Sequence, residues 1–215
     1  MALVFGMRKL NETEVAPPKL ALLRIASMGE TRGMLFCGDC LDVLEGKVEP
    51  ESVDLIYADP PFFSNRKYEV VWKDEGEIRS FDDRWEGGIE VYIAWMTERL
   101  RGCYRVLKPT GSLFLHCDWH ASHYLKVALD SIFGRQNFRN EIVWRYKSGG
   151  RSERFFPRKH DVILWFTKSD EWTFRPKAIS VPRNVCQECG TTLEKWNNLK
   201  KEWDADGRVF RTVKS

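Results

Sequence analysis

The chain has 215 residues, 30% charged and 43% hydrophobic, with a formal net charge of +3, the make-up of a globular protein with one domain and an appendage. The first fifteen residues lack the long apolar core of a signal peptide, and no run approaches membrane-spanning length. Secreted and membrane-spanning classes are thereby set aside, a cytosolic protein is expected, and the six cysteines read as reduced thiols.

Charge distribution says more than net charge. Residues 39–98 carry sixteen acids against six bases, whereas 145–160 carry six bases and one acid. A concentration of basic charge of that kind suits a polyanion.

In chain order, residues 1–33 combine a weak apolar start, Pro17-Pro18 and a helix expected over 19–28, and read as an extension packed on the domain. Residues 34–37 read as a strand, Gly38-Asp39-Cys40 as its exit and 41–44 as a helix. Asp39 is either a routine N-cap or a ligand-binding acid at a strand end; spacing leaves both open.

Val53, Leu55, Ile56, Tyr57 and Ala58 form the apolar run of a strand buried on both faces of a parallel sheet. It stops at Asp59-Pro60-Pro61-Phe62. Neither proline can donate to a sheet ladder, so a carboxylate, stiff carbonyls and an aromatic ring converge where open α/β sheets place ligands. Asp59 and the Pro60 carbonyl suit the hydrogens of an amino group on a planar ring, with Phe62 to stack on that ring. A bare Asp-Pro-Pro is otherwise an ordinary turn with Asp59 as a cap.

Residues 63–88, with Phe81-Asp82-Asp83-Arg84-Trp85 inside, read as a long polar loop of the lid type. Ile93, Met96, Leu100, Tyr104 and Leu107 recur at helical spacing, so 91–107 is an amphipathic helix ended by Lys108-Pro109-Thr110-Gly111. With 112–117 as the next strand, the alternation is that of a doubly wound sheet. His116, His120, His123 and Asp118 raise a metal reading, which is set aside because His116 falls at a strand end and the other two histidines in the following helix. A further helix, 124–132, ends at Gly134.

Two strands, 141–146 and 162–167, are joined by the basic segment. Arg145, Lys147, Arg151, Arg154, Arg158 and Lys159 are its expected phosphate contacts, the alternative being a solvated Ser148-Gly149-Gly150 connector. Phe155, Phe156 or Trp165 is expected to cover the second face of the bound ring. From 178 the pattern loosens into what reads as the start of a recognition region. Cys186 and Cys189 resemble one zinc knuckle without a second pair, so no metal is expected.

The order GDCLDVL, VDLIYADPPF, RVLKPTGSLFLH, NEIVW and RKHDVILWFTKS resembles the beta class of the amino DNA methyltransferases over residues 35–174. The resemblance implies a Rossmann-like, mostly parallel sheet with a closing antiparallel hairpin, divided as 1–33 extension, 34–177 catalytic domain and 178–215 recognition region. It implies S-adenosylmethionine as cofactor and DNA as partner, in a cytoplasmic restriction-modification setting. Asp59, Pro60, Pro61 and Phe62 take the catalytic motif, and Asp39 with Cys40 the adenosine side of the cofactor. An Asp at the first motif position goes more often with adenine N6, leaving cytosine N4 as the second target. No G-x-G occurs among the fifteen glycines, so the cofactor site is expected to be partial. A longer enzyme is the first expectation; a second polypeptide, a homodimer, an inactive remnant, a non-catalytic nucleic-acid-binding module, and methylation of RNA or protein stay open.

Overall fold

The computed structural model describes residues 2–6, 21–28, 31–71, 78–146, 153–179, 200–203 and 209–212. In chain order these form β1 (Ala2–Gly6), β2 (Ala21–Met28), β3 (Thr31–Cys37), α1 (Cys40–Lys47), β4 (Val53–Asp59), β5 (Lys67–Val71), β6 (Ile78–Asp82), α2 (Gly88–Val106), β7 (Leu107–Cys117), α3 (Ser122–Phe133), β8 (Phe138–Arg145), β9 (His160–Thr167), α4 (Pro176–Ile179), β10 (Lys200–Trp203) and β11 (Val209–Thr212). The chain divides into two compact units, 1–173 and 174–215.

The main sheet has the order β1-β4-β7-β9-β8. β1, β4 and β7 are parallel, and the β8–β9 hairpin closes the sheet antiparallel to β7. The mixed α/β fold with a mostly parallel sheet is therefore the one expected. Residues 2–6, assigned above to an extension, supply an edge strand of this sheet. The second unit contains α4 and the antiparallel β10–β11 pair.

The helices follow from capping and periodicity. Asp39 caps α1, its Oδ1 accepting from Leu41 N at 2.8 Å. The C-terminal carbonyls of α1, Leu44 and Val48, accept from the Arg105 guanidinium of α2. On α2, Tyr92, Met96, Arg99, Leu100, Cys103 and Val106 are buried, the stripe of a helix lying on a sheet. α3 buries Leu125, Leu129 and Phe133 and ends at Gly134, whose φ of 86° is a conformation glycine adopts freely. Full burial of each such leucine stabilises by about 1.5–3 kcal/mol.

All three helices join one core cluster with Ile56, Ala58, Leu113, Leu115, Cys117, Leu164 and Phe166 of the strands. The alternate positions are more open: Leu55 and Asp59 are exposed, while Tyr57, Phe114 and His116 are half-buried. The expectation of a β4 buried on both faces is thus corrected. Helices α1, α2 and α3 cover one face, and the period of two puts Tyr57, Asp59, Phe114 and His116 together on the other.

Two local readings are overturned. In place of the helix expected over 19–28, the described residues Ala21–Met28 form β2, paired antiparallel with β3. Its apolar residues satisfy either period, and the partner strand beyond the Gly29-Glu30 step decides the outcome, a hairpin signal that outweighs local propensity. The 63–88 segment is likewise not structureless, since β5 and β6 pair within it in unbroken register from Lys67↔Asp82 to Val71↔Ile78. None of the described helices is long and apolar enough to cross a membrane.

Candidate active site

Asp59 ends β4, and its side chain is 54% exposed on the open face. It is neither sealed in the interior nor closed by a lysine or arginine among the described residues. The nearest ionisable neighbour is His116 on the adjacent strand β7, Nδ1 lying 3.3 Å from Asp59 Oδ1. Its carboxyl is held above the ordinary aspartate range, chiefly by burial, with His116 pulling the other way and Asp161 adding to the rise.

The backbone after Asp59 is fixed from behind. Pro60 and Pro61 are buried, and the Pro61 carbonyl accepts from the buried Tyr92 hydroxyl of α2 at 2.7 Å. Phe63 follows in the left-handed region at φ 61°, a conformation that costs a bulky side chain about 1–3 kcal/mol. Asp83 holds it there. Only 1% exposed, its carboxylate accepts from Phe63 N at 3.2 Å, from Ser64 N and Ser64 Oγ at 2.6 Å each, and from Trp85 Nε1 at 3.1 Å. Trp85 in turn meets Tyr92 and Trp95 edge-on, with centroids 5.0 and 5.2 Å apart. A rigid turn with an open carboxylate at its mouth is the result.

Asp83 and Tyr92 were not singled out as site residues from the sequence. The former sat inside an apparent loop and the latter inside a helix; the available signal was an acid two residues before a tryptophan, placed after a Pro-Pro turn.

Phe62 is half-buried and presents its ring to His116 at 5.1 Å and 67°. His116 also stacks on Trp144 of β8, with centroids 6.1 Å apart and planes inclined by 17°. Trp165 lies stacked on Phe114 at 5.5 Å, while Phe155 and Phe156 project into solvent, Phe156 being 94% exposed. Among the described residues, then, Phe62, Tyr57 and Trp144 gather on His116 beside Asp59, and Trp165 is engaged with Phe114.

Asp39 takes a different part. Besides capping α1, its Oδ2 accepts from Arg99 Nη2 at 2.7 Å, and Arg99 lies with its guanidinium 3.6 Å over the Trp95 ring. The Asp39 side chain keeps 29% exposure, and each oxygen has one protein donor, so lone pairs remain for a hydroxyl or amino hydrogen. Cys40 beside it is a neutral thiol, pushed up to about 11 mainly by burial. The pair fits the polar side of a nucleoside and supplies nothing cationic toward a carboxylate.

Of the expected phosphate contacts, Arg145, Arg154, Arg158 and Lys159 are described, whereas Lys147 and Arg151 lie outside the described residues, as do Cys186 and Cys189. Arg158 sets its guanidinium 3.8 Å over Trp119, just beyond β7, and 5.1 Å from the Phe155 ring centre. This anchors the basic segment at the end of the sheet that carries Asp59. His120 Nδ1 lies 2.7 Å from Asp118 Oδ2 in the turn before α3. Among the described residues no three His, Cys, Asp or Glu side chains are grouped to hold a metal ion.

The model of a family described as DNA methylase, that of the N6/N4 methyltransferases, matches residues 53–213. The type II methyltransferase M.BamHI of Bacillus amyloliquefaciens is 32% identical over 185 residues, 84% of this chain and 39% of that protein. M.KpnI of Klebsiella pneumoniae is 30% identical over 69% of this chain and 36% of its own length. Among solved structures, the cytosine-N4-specific PvuII DNA methyltransferase aligns at a TM-score of 0.48 and 18% identity, covering 66% of this chain and 51% of that one. The chain thus spans about two fifths of the length of these two curated relatives.

Proposed function

The chain belongs to the DNA methylase family of N6/N4 amino methyltransferases, and on that premise we propose that it carries the amino-group pocket of an enzyme methylating DNA, with adenine N6 as the first target and cytosine N4 as the second. The observation that carries this reading is Asp59, an open carboxylate at the end of a central strand, on a turn held by Tyr92 and Asp83.

The exocyclic amino nitrogen is a weak nucleophile because its lone pair is delocalised into the ring. Asp59 and the Pro60 carbonyl accept its two hydrogens and favour a pyramidal nitrogen with its lone pair directed outward. Phe62 supports the ring face. Reaching the pocket requires the base to leave the duplex, at a cost of a few kcal/mol, against which stacking returns about 1–3 kcal/mol. Arg145, Arg154, Arg158 and Lys159 hold the phosphates. S-adenosylmethionine supplies an electrophilic methyl on sulfur, and Asp39 with Cys40 receives its adenosine. Holding the nitrogen in line contributes up to roughly 7–11 kcal/mol of barrier lowering.

The test is transfer of tritiated methyl groups to duplex DNA by the full-length enzyme with its cofactor site complete, followed by digestion and separation of the nucleosides. Label is expected in N6-methyladenine, and Asp59→Ala is expected to abolish it while DNA affinity stays within about twofold. Undiminished turnover by Asp59→Ala removes the catalytic assignment. DNA binding without label transfer by the wild type turns the reading toward a non-catalytic module.

A further inference from the structure

Asp59 does not stand alone on the open face. His116 Nδ1 approaches it at 3.3 Å from β7, and the other ring nitrogen, Nε2, lies 3.5 Å from Asp161 Oδ2 on β9. Asp161 Oδ1 in turn accepts from the Tyr146 hydroxyl at 3.3 Å. The register of three adjacent strands produces this line. His116 pairs with Ile163, and Asp161 stands two residues before it on β9, on the same face.

The imidazole is 14% exposed, and its buried Nε2 makes no aligned hydrogen bond among the described residues. Phe62 meets the ring edge-on and Trp144 stacks on it, so its plane is fixed from two sides.

We propose that His116, bridging Asp59 and Asp161, is the positioning residue of the amino-group pocket, orienting the Asp59 carboxylate toward the amino hydrogens of the target base.

The role rests on the methyl-transfer reading above. A carboxylate on a strand end can rotate about χ2, and sharing the two amino hydrogens with the Pro60 carbonyl needs one rotamer. Nδ1, 3.3 Å from Oδ1, biases that rotamer electrostatically, while Phe62 and Trp144 hold the ring plane and Asp161 lies 3.5 Å from its far nitrogen. The groups facing His116 are Asp59 and Tyr57 from β4, Asp161 from β9, and Tyr146, reached through Asp161, beyond β8. Both phenols are held above their ordinary range, burial first, so neither competes as a charge. His116 lowers and Asp161 raises the proton affinity of Asp59, which predicts opposite responses to their removal.

Two arms test this. In the first, the Asp59 13Cγ resonance, assigned by its loss in Asp59→Asn, is titrated in the folded chain. His116→Gln is expected to move its midpoint to higher pH and Asp161→Asn to lower pH. The second uses the amide geometry of the replacements. Asn places its nitrogen near the Nδ1 position and can still donate to Asp59, whereas Gln places its nitrogen near Nε2. His116→Asn is expected to keep kcat within about tenfold, and His116→Gln to lose about 10²-fold with DNA affinity unchanged. A ring serving only to hold the strands together predicts equal losses for both, and that result, or an Asp59 midpoint unmoved in both variants of the first arm, overturns the proposal. Because that titration needs no turnover, failure of methyl transfer itself is read separately.

Discussion

The turn after β3 and the turn after β4 each place an aspartate beyond a strand, and the two carboxylates live in opposite surroundings. Asp39 gives one oxygen to the first turn of α1 and the other to buried Arg99. Asp59 has the His116 ring as its close neighbour, Nδ1 lying 3.3 Å from Oδ1, and leaves half of its side chain to solvent. The rigidity at β4 is supplied instead by neighbours: Tyr92 on the Pro61 carbonyl and Asp83 on the amides of Phe63 and Ser64. Asp39 spends a lone pair of each oxygen on protein donors before any ligand arrives, whereas Asp59 is left open on a backbone made stiff by others.

Stability measurements sharpen that contrast most. Asp39→Ala removes a helix cap and leaves a buried guanidinium without its counter-charge, so a loss of about 2–4 kcal/mol is expected by chemical denaturation. Asp59→Asn is expected to do the reverse. The folded chain raises the proton affinity of Asp59, so the folded state binds that proton more tightly than the unfolded one. Its contribution is full below the ordinary aspartate range and lost as pH rises through the folded value. Above that folded value the contribution has been lost, and there Asp59→Asn should unfold at the same denaturant concentration or a slightly higher one. A clear destabilisation would make Asp59 a second structural acid and erase the difference between the turns.

The next effect concerns the lock behind the open carboxylate. Asp83→Ala removes the buried acceptor shared by four donors, with an expected cost of about 2–4 kcal/mol. Phe63 then has no acceptor to offset its left-handed backbone. Amide exchange should rise at Phe63 and Ser64 before it rises in α2 or α3. Exchange that rises uniformly would mean that Asp83 supports the whole domain and not this turn.

What the sequence made legible was what a short stretch can encode. The apolar run of β4, its halt at Asp59-Pro60-Pro61, and the stripes of α2 and α3 are one-dimensional patterns, and they survive in the structure. β2 was not legible, because 21–28 fits a helix as well as a strand until its partner is known. Nor was the company of Asp59. His116 and Asp161 lie 57 and 102 residues away and reach it only through the β4–β7–β9 register, so His116 read as one of three clustered histidines. Asp83 was hidden for another reason: the charged sequence around it gives no hint that one of its acids is buried.

Tyr92→Phe makes the finest cut. It deletes one hydroxyl and leaves the ring against Trp85 and Phe63, so packing is kept and the hydrogen bond to the Pro61 carbonyl alone is lost. A neutral buried bond is worth about 0.5–1.5 kcal/mol, and the midpoint of unfolding should fall accordingly. If the bond merely supports the fold, turnover at saturating DNA should be unchanged once the variant is folded. If it aims the Pro60-Pro61 backbone, kcat should drop severalfold below the folding midpoint while DNA affinity holds, because a small displacement of the acceptors misaligns both amino hydrogens at once. The second outcome is the one expected, since the hydroxyl reaches the turn between the two residues, Asp59 and Phe63, whose geometry matters most to it.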